Sequence, residues 1–363
     1  MKSRKFLHKM GVQPTQHRLV FLDSLRGIAA LAVMFQHIGE NLFDPVKYFT
    51  GQYLQLGQFG VTLFFLCSGF VIPFSLEKTK DLRAFWVNRV FRLYPLYWLV
   101  LATLLILFYL SLFALPDSFV SRLPLSAVVN LTMVQAFLGF EHASAVFWSL
   151  GFEMVFYVLV SIAFVAGILK RTSLFVYALL GLSVLNPIVT RIILHKAPHL
   201  GVSFHITTMF FGTLAYRWYA GALKTKSFQL AYILAFIAIV TINAIGLIGI
   251  ETTDTGGVKS FVPMTMAWLG SYSLFALFLA ARDFKHSGFA KRAGTISYSL
   301  YLIHPIVIAL GLKTGSAPLT FVCWMAATWV LAELTFKFVE KPFIAVGKRL
   351  AHRPQKIPER QVW

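Results

Sequence analysis

Ten stretches of about 17–25 mostly apolar residues, with lysine and arginine concentrated in the short segments between them, decide what this chain can fold into. They run 20–38, 57–75, 93–115, 146–169, 174–194, 201–216, 228–250, 262–281, 296–312 and 317–340. Backbone amides in hydrocarbon must be satisfied within the chain, so such stretches are read as helices. With the N-terminus on the cytoplasmic side, the inside segments hold 25 Lys and Arg residues. The outside loops hold six: Lys47, Arg122, Arg191, Lys196, Lys259 and Lys313. The strict alternation predicts an all-α integral membrane protein, a bundle of about ten transmembrane helices with both termini cytoplasmic. Residues 1–345 form one multispan domain and 346–363 a basic cytoplasmic tail. A further apolar piece, 123–140, is interrupted by Asn130 and Gln135 and reads as re-entrant or interfacial; an eleventh span would break the alternation beyond residue 145. The basic lead of Lys2, Arg4, Lys5 and Lys9 precedes a run interrupted by Asp23 and Arg26, which reads as an uncleaved first span.

Composition agrees. The chain is 58% hydrophobic and 13% charged, and its mean hydropathy is +0.71. A net charge of +19 would suit nucleic acid if it formed a patch, but here it marks topology, so no nucleic-acid partner is expected. Cys67 and Cys323 lie in apolar spans without ligand spacing around them. They read as small buried hydrophobes, and no metal is expected. Chemistry must then occur within the bundle or at its mouths, among membrane lipids; an oligomer is permitted but not specified.

Ionizable residues inside spans need a reason, since each costs about 2.5–3.5 kcal/mol on insertion scales. Arg26 and His37 are eleven positions apart, ~16.5 Å of rise and close to three turns, so they share one face of the first helix. Arg26 can also snorkel, with Asp23 pairing and capping at i−3; both readings stand at this stage. Glu153, in "FWSLGFEMVFY" (147–157), falls in the same outer half as His37 by rise along the fourth span. A Glu–His pair there would orient the imidazole as a general base. "FWVNRVFRLYP" (85–95) sets Arg89 and Arg92 at the cytoplasmic mouth, where they suit phosphate or simple interfacial anchoring. "ISYSLYLIHP" (296–305) puts Ser297, Tyr301 and His304 on one stripe facing the bundle interior. Glu333 and Lys337 are spaced i, i+4 and are expected to pair. His205 receives no role.

Together these stretches resemble the acyltransferase-3 family of bacterial multispan enzymes that O-acylate sugars and related molecules. The features are the Arg26-x10-His37 spacing in "LDSLRGIAALAVMFQH", and "FGVTLFFLCSGFVI" (59–72). "NRVFRLYPLYW" (88–98), "FWSLGFEMVFY", "FFGTLAY" (210–216), "ISYSLYLIHP" and "VEKPF" (339–343) follow in family order. Cys67 stands where leucine or isoleucine is more usual before Ser-Gly, a conservative departure. No hydrolase-like domain accompanies the membrane domain, so the stand-alone type is expected.

The resemblance implies transfer of an acyl group, acetyl above all, from cytoplasmic acyl-CoA to a hydroxyl of a sugar or glycan at the inner membrane of a bacterium. It implies His37, Glu153 and Arg26 as catalytic residues. The acyl-CoA and substrate contacts are expected at Arg89, Arg92, Ser68, Trp148, Ser149, Tyr157, Tyr298, Tyr301 and His304. Acyl-CoA enters as a co-substrate, with no tightly bound cofactor. In this reading His37 deprotonates the acceptor or carries the acyl group itself. A lipid-linked sugar transporter or flippase is the rival; it would leave CoA unconsumed. A glycosyltransferase is poorly supported, since the chain has 14 Asp plus Glu and no DxD.

Overall fold

The computed structural model describes residues 19–195, 201–248, 260–283 and 287–351. The basic lead (1–18), Lys196, Lys259 and the tail beyond 351 lie outside the described residues. Fifteen α-helices and no strand occur among those described: α1 (Val20–Glu40), α2 (Asp44–Gln52), α3 (Leu56–Thr79), α4 (Leu82–Tyr109), α5 (Asp117–Val120), α6 (Leu123–Asn130), α7 (Trp148–Val165), α8 (Thr172–Pro187), α9 (Gly201–Tyr219), α10 (Thr225–Leu247), α11 (Phe261–Ala280), α12 (Gly288–Thr295), α13 (Ser297–Ala309), α14 (Ala317–Thr335) and α15 (Lys341–Ala351). Eight helical stretches are long and apolar enough to cross a bilayer, and the molecule is an all-α membrane protein. Its outer surface shows why: Leu230, Ile233 and Ile237 of α10 and Val322 and Val330 of α14 are all exposed, a surface suited to lipid rather than water.

Each of the ten apolar stretches forms a helix. The two outside the set of eight are α9 and α13, and both are enclosed by neighbours. In α9 every residue from Phe204 to Ala215 is buried, and Thr207, Thr208 and Thr213 bond to carbonyls one turn back. α13 has 13 residues and packs against α1, α4 and α14. The third expected span, 93–115, is corrected: its helix starts at Leu82, where the Asp81 side chain accepts from the Ala84 N–H at 3.1 Å. Segment 123–140 holds α6 and a short 3-10 turn and does not span. Asn130 fixes it, receiving the Ala143 N–H and donating to the Glu141 carbonyl, and its own carbonyl accepts from Tyr97 Oη at 2.6 Å.

The basic connections gather at one end. Arg217, in the last turn of α9, bonds Glu77 at the end of α3 (2.6 Å) and the Leu169 carbonyl ahead of α8. Arg282, after α11, lies over the rings of Trp218 and Tyr219. Glu333 pairs with Arg292 of α12 and not with Lys337, which corrects the local pairing; the guanidinium offers two donors across helices, and Lys337 lies over Phe338 instead. Cys67 is buried, whereas Cys323 is exposed on α14, so only the first fits the expectation of a buried hydrophobe.

Glycines set the closest helix approaches. A Cβ at Gly69 (α3) would lie 1.8 Å from the Met209 carbonyl oxygen, and one at Gly212 (α9) 2.2 Å from that of Leu66. At Gly294 (α12) it would lie 1.7 Å from the Asp23 carbonyl, which locks α12 under the start of α1. Lipid supplies no hydrophobic drive between helices, so such backbone contact carries the packing. Gly69→Leu should therefore destabilise by at least ~1–3 kcal/mol or prevent accumulation. Gly181→Ala, where an added carbon meets nothing within 4 Å, should leave the melting midpoint in detergent unchanged.

Candidate active site

α1, α3, α4, α7 and α13 line a partly open cleft. Arg26, Ser68, Arg89, Arg92, Ser149, Glu153, Tyr157, Ser297, Tyr298 and Tyr301 line it, with Val61, Phe64, Phe65, Leu93 and Leu150 as its apolar wall. Nine of the twelve expected site residues therefore meet here. Val61, Phe64, Phe65 and Ser68 form one stripe of α3 at spacings of three, one and three. That periodicity was present in the sequence and marks Phe64 and Phe65 as lining residues not singled out there.

The charges do not balance. Glu153 Oε1 accepts from Tyr157 Oη at 2.5 Å and from Ser68 Oγ at 3.1 Å. Arg89 donates to Ser75 Oγ at 3.2 Å and lies 5.5 Å from the Phe85 ring and 6.0 Å from the Tyr157 ring, while its Nε is buried without a partner. Among the described residues, neither Arg26 nor Arg92 has an ion pair or side-chain hydrogen bond. Three guanidinium groups thus face one carboxylate that is already hydrogen-bonded to hydroxyls. This arrangement suits an anion with several acceptor oxygens. The Arg26–Asp23 brace has no ion pair of its own among the described residues, although Asp23 has other contacts.

The remaining expected residues lie elsewhere. His37 Nδ1 is 2.8 Å from His304 Nε2, and His304 is fully buried, with its Nδ1 3.2 Å from the Leu300 carbonyl. The expected His37–Glu153 pair does not form. Glu153 lies at the level of Ser68 and Arg26, whereas His37 sits toward the other end of α1 against α13, so the heights read from rise along two separate helices do not match. Tyr301 connects the two places. It lines the cleft, donates to the Val146 carbonyl (3.0 Å), meets Ser149 Oγ at 2.8 Å, and its ring lies 6.1 Å from His304 and 5.7 Å from Phe64. Tyr298 donates to the Leu93 carbonyl at 2.8 Å. Trp148 is outside the cleft lining and packs with Phe65, Phe152 and His205. His205 is accounted for as a buried ring among those aromatics, about 5 Å from each. No three His, Cys, Asp or Glu side chains converge as a metal site among the described residues.

Comparison with known proteins follows the same lines. A family model described as an acyltransferase domain matches residues 19–335. The O-acetyltransferase OatA of Staphylococcus aureus (strain NCTC 8325 / PS 47) is 26% identical over 384 residues, covering 92% of this chain and 59% of that protein. The acyltransferase MdmB of Streptomyces mycarofaciens is 34% identical over 155 residues, covering 40% of this chain and 38% of that protein. The chain thus spans well under two thirds of the length of the curated relatives it matches. No solved structure matches it. With the family model covering most of its length, the chain belongs to the acyltransferase-3 family of membrane acyltransferases.

Proposed function

We propose that the protein transfers an acetyl or other short acyl group from acyl-CoA to a hydroxyl of a sugar or glycan, as a multi-pass enzyme of the bacterial cytoplasmic membrane. The observation that carries this reading is the cluster of Arg26, Arg89 and Arg92, none in an ion pair among the described residues, in a cleft whose Arg26 lies three helical turns along α1 from His37. The phosphates of CoA are the anion such a cluster suits, and the pantetheine arm is of a length to reach from there toward His37. The relatives' names point to acyl and O-acetyl transfer. The CoA donor and the carbohydrate acceptor rest on the chemistry of the cleft and on the family resemblance.

In the proposed reaction His37 removes the proton of the acceptor hydroxyl as its oxygen attacks the thioester carbonyl. The tetrahedral intermediate collapses with cleavage of the C–S bond, and the departing CoA thiolate takes the proton from the imidazolium. In the two-step variant His37 first displaces the thiolate and is acylated, and the acceptor oxygen then displaces His37. Both routes yield one ester and one free thiol. Glu153 holds the Tyr157 and Ser68 hydroxyls and limits the positive charge of the cleft; it does not act on His37.

Free-thiol release from acetyl-CoA by purified protein, supplied with a panel of mono- and disaccharides, tests the reading. His37→Ala should lower it about 10²–10⁴-fold, the usual worth of a general base. Unchanged release would sink the assignment of His37, and transport of a lipid-linked sugar without thiol release would favour a flippase. Arg92→Ala should raise KM for acetyl-CoA roughly tenfold or more and change kcat less, since a charge-assisted contact is worth about 1.5–3 kcal/mol. A KM that stays fixed in both Arg89→Ala and Arg92→Ala would move the donor out of this cleft.

A further inference from the structure

We infer that His304 is not a donor-binding residue. It is the positioning residue that fixes the tautomer of His37 and leaves His37 Nε2 as the reactive nitrogen. This rests on the reading of His37 as base or acyl carrier, and goes beyond it by naming the atom that reacts and the group that sets it.

The assignment follows from counting donors and acceptors along a three-member chain. The Leu300 carbonyl can only accept, so the His304 Nδ1 that lies 3.2 Å from it carries a hydrogen. His304 is fully buried and no carboxylate bonds to it, so the ring is neutral and its Nε2 presents a lone pair. The 2.8 Å contact from that Nε2 to His37 Nδ1 then requires the hydrogen to sit on His37 Nδ1. A neutral His37 protonated at Nδ1 has its lone pair on Nε2, the nitrogen turned away from His304. The order is carbonyl, histidine, histidine, with a neutral imidazole in the place a carboxylate takes in more familiar arrangements.

The sequence "LIHP" explains why the chain is anchored. Pro305 has no N–H, so the Tyr301 carbonyl four residues back loses its helical donor. The His304 Nδ1 reaches the Leu300 carbonyl, one residue earlier in the chain, and that backbone acceptor holds the hydrogen on Nδ1. His304 is moreover absent from the cleft lining, while Tyr301, one turn earlier on the same stripe, is part of it. His37 is absent from that lining too, so His304 is placed with His37 and not with the side chains facing the anion cleft.

The test uses the full-length protein with acetyl-CoA as the probe and three forms: wild type, His304→Leu and His304→Gln. Leucine removes the acceptor; the glutamine side-chain oxygen can restore one near the position of Nε2. The expected result is a fall in kcat for thiol release of about 10²-fold or more in His304→Leu. KM for acetyl-CoA should stay within about threefold, and His304→Gln should recover at least a tenth of wild-type kcat. Equal losses in both variants, or a rise in KM at constant kcat, would overturn the proposal. Nitrogen-15 NMR of histidine-labelled wild type, with the His37 signals assigned by their loss in His37→Ala, reads the tautomer without substrate. Hydrogen on His37 Nδ1 supports the inference, and hydrogen on Nε2 refutes it even if neither His304 variant folds. Because this spectrum needs no turnover, its failure is separable from failure of the acetyl-CoA reading.

Discussion

Guanidinium groups within a helical bundle need partners or an anion, and the cleft of this bundle is built around three of them. α4 starts eleven residues before the apolar stretch that announces it, so Arg89 and Arg92 lie about 10–15 Å along the helix rather than in a loop. α15 braces that helix from outside, with Gly347 against the side chain of Phe91. Arg89 is further held by Ser75 and by the faces of Phe85 and Tyr157. Among the described residues Glu153 is the one carboxylate lining the cleft, and part of its accepting capacity is used by two hydroxyls. The cleft therefore keeps an excess of positive charge that an anionic ligand would relieve. Such a site is costly to the empty protein and selective for what fills it.

The second consequence is separation. An imidazole among three guanidinium groups would be a poor proton acceptor, because protonating it adds like charge at short range. Here His37 stands three turns along α1 from Arg26 and meets the His304 ring, 2.8 Å away, instead of a guanidinium. Phe64 and Tyr301 meet edge to face at the end of the cleft nearest the histidine pair. Under the proposed function, charge recognition at the guanidinium groups and proton transfer at His37 fall at different depths of the bundle, and each keeps the local field it needs.

Much of this was legible in the sequence, for identifiable reasons. A bilayer demands long apolar helices, so all ten stretches declared themselves, and the three- and four-residue spacings of Ser297, Tyr301 and His304 gave their shared inward face. Contacts between helices were not legible in the same way. Glu153 and His37 matched in height only by rise counted from the span ends; packing sets Glu153 beside Ser68 at the level of Arg26, well along α1 from His37, and rise per residue says nothing about the offset between two separate helices. Glu333 had a local partner at i+4 but chose Arg292, because packing brings a two-donor guanidinium across from α12. The start of α4 was missed because the charged residues between 82 and 92 hide a helix from a hydropathy window, although Asp81 stood there as its cap.

α13 shows how these constraints meet in one element. At 13 residues it is too short to cross a bilayer unaided, and its neighbours α1, α4 and α14 enclose it. Enclosure is what allows it to carry Ser297, Tyr298, Tyr301 and His304, a polar stripe that lipid would reject. It is tied at its start through α12, where Gly294 lies against the Asp23 backbone. It is tied at its flank by the buried carboxylate of Glu340, which accepts from Ser299 in the π-helical turn joining α14 to α15. Tyr298 and Tyr301 belong to the cleft and His304 to the histidine pair, so α13 contributes to both places, while α1 holds Arg26 and His37 at their separation. A shift of α13 would move Tyr298, Tyr301 and His304 together, so under the proposed function its anchors bear on the geometry of the reaction although they lie outside the cleft.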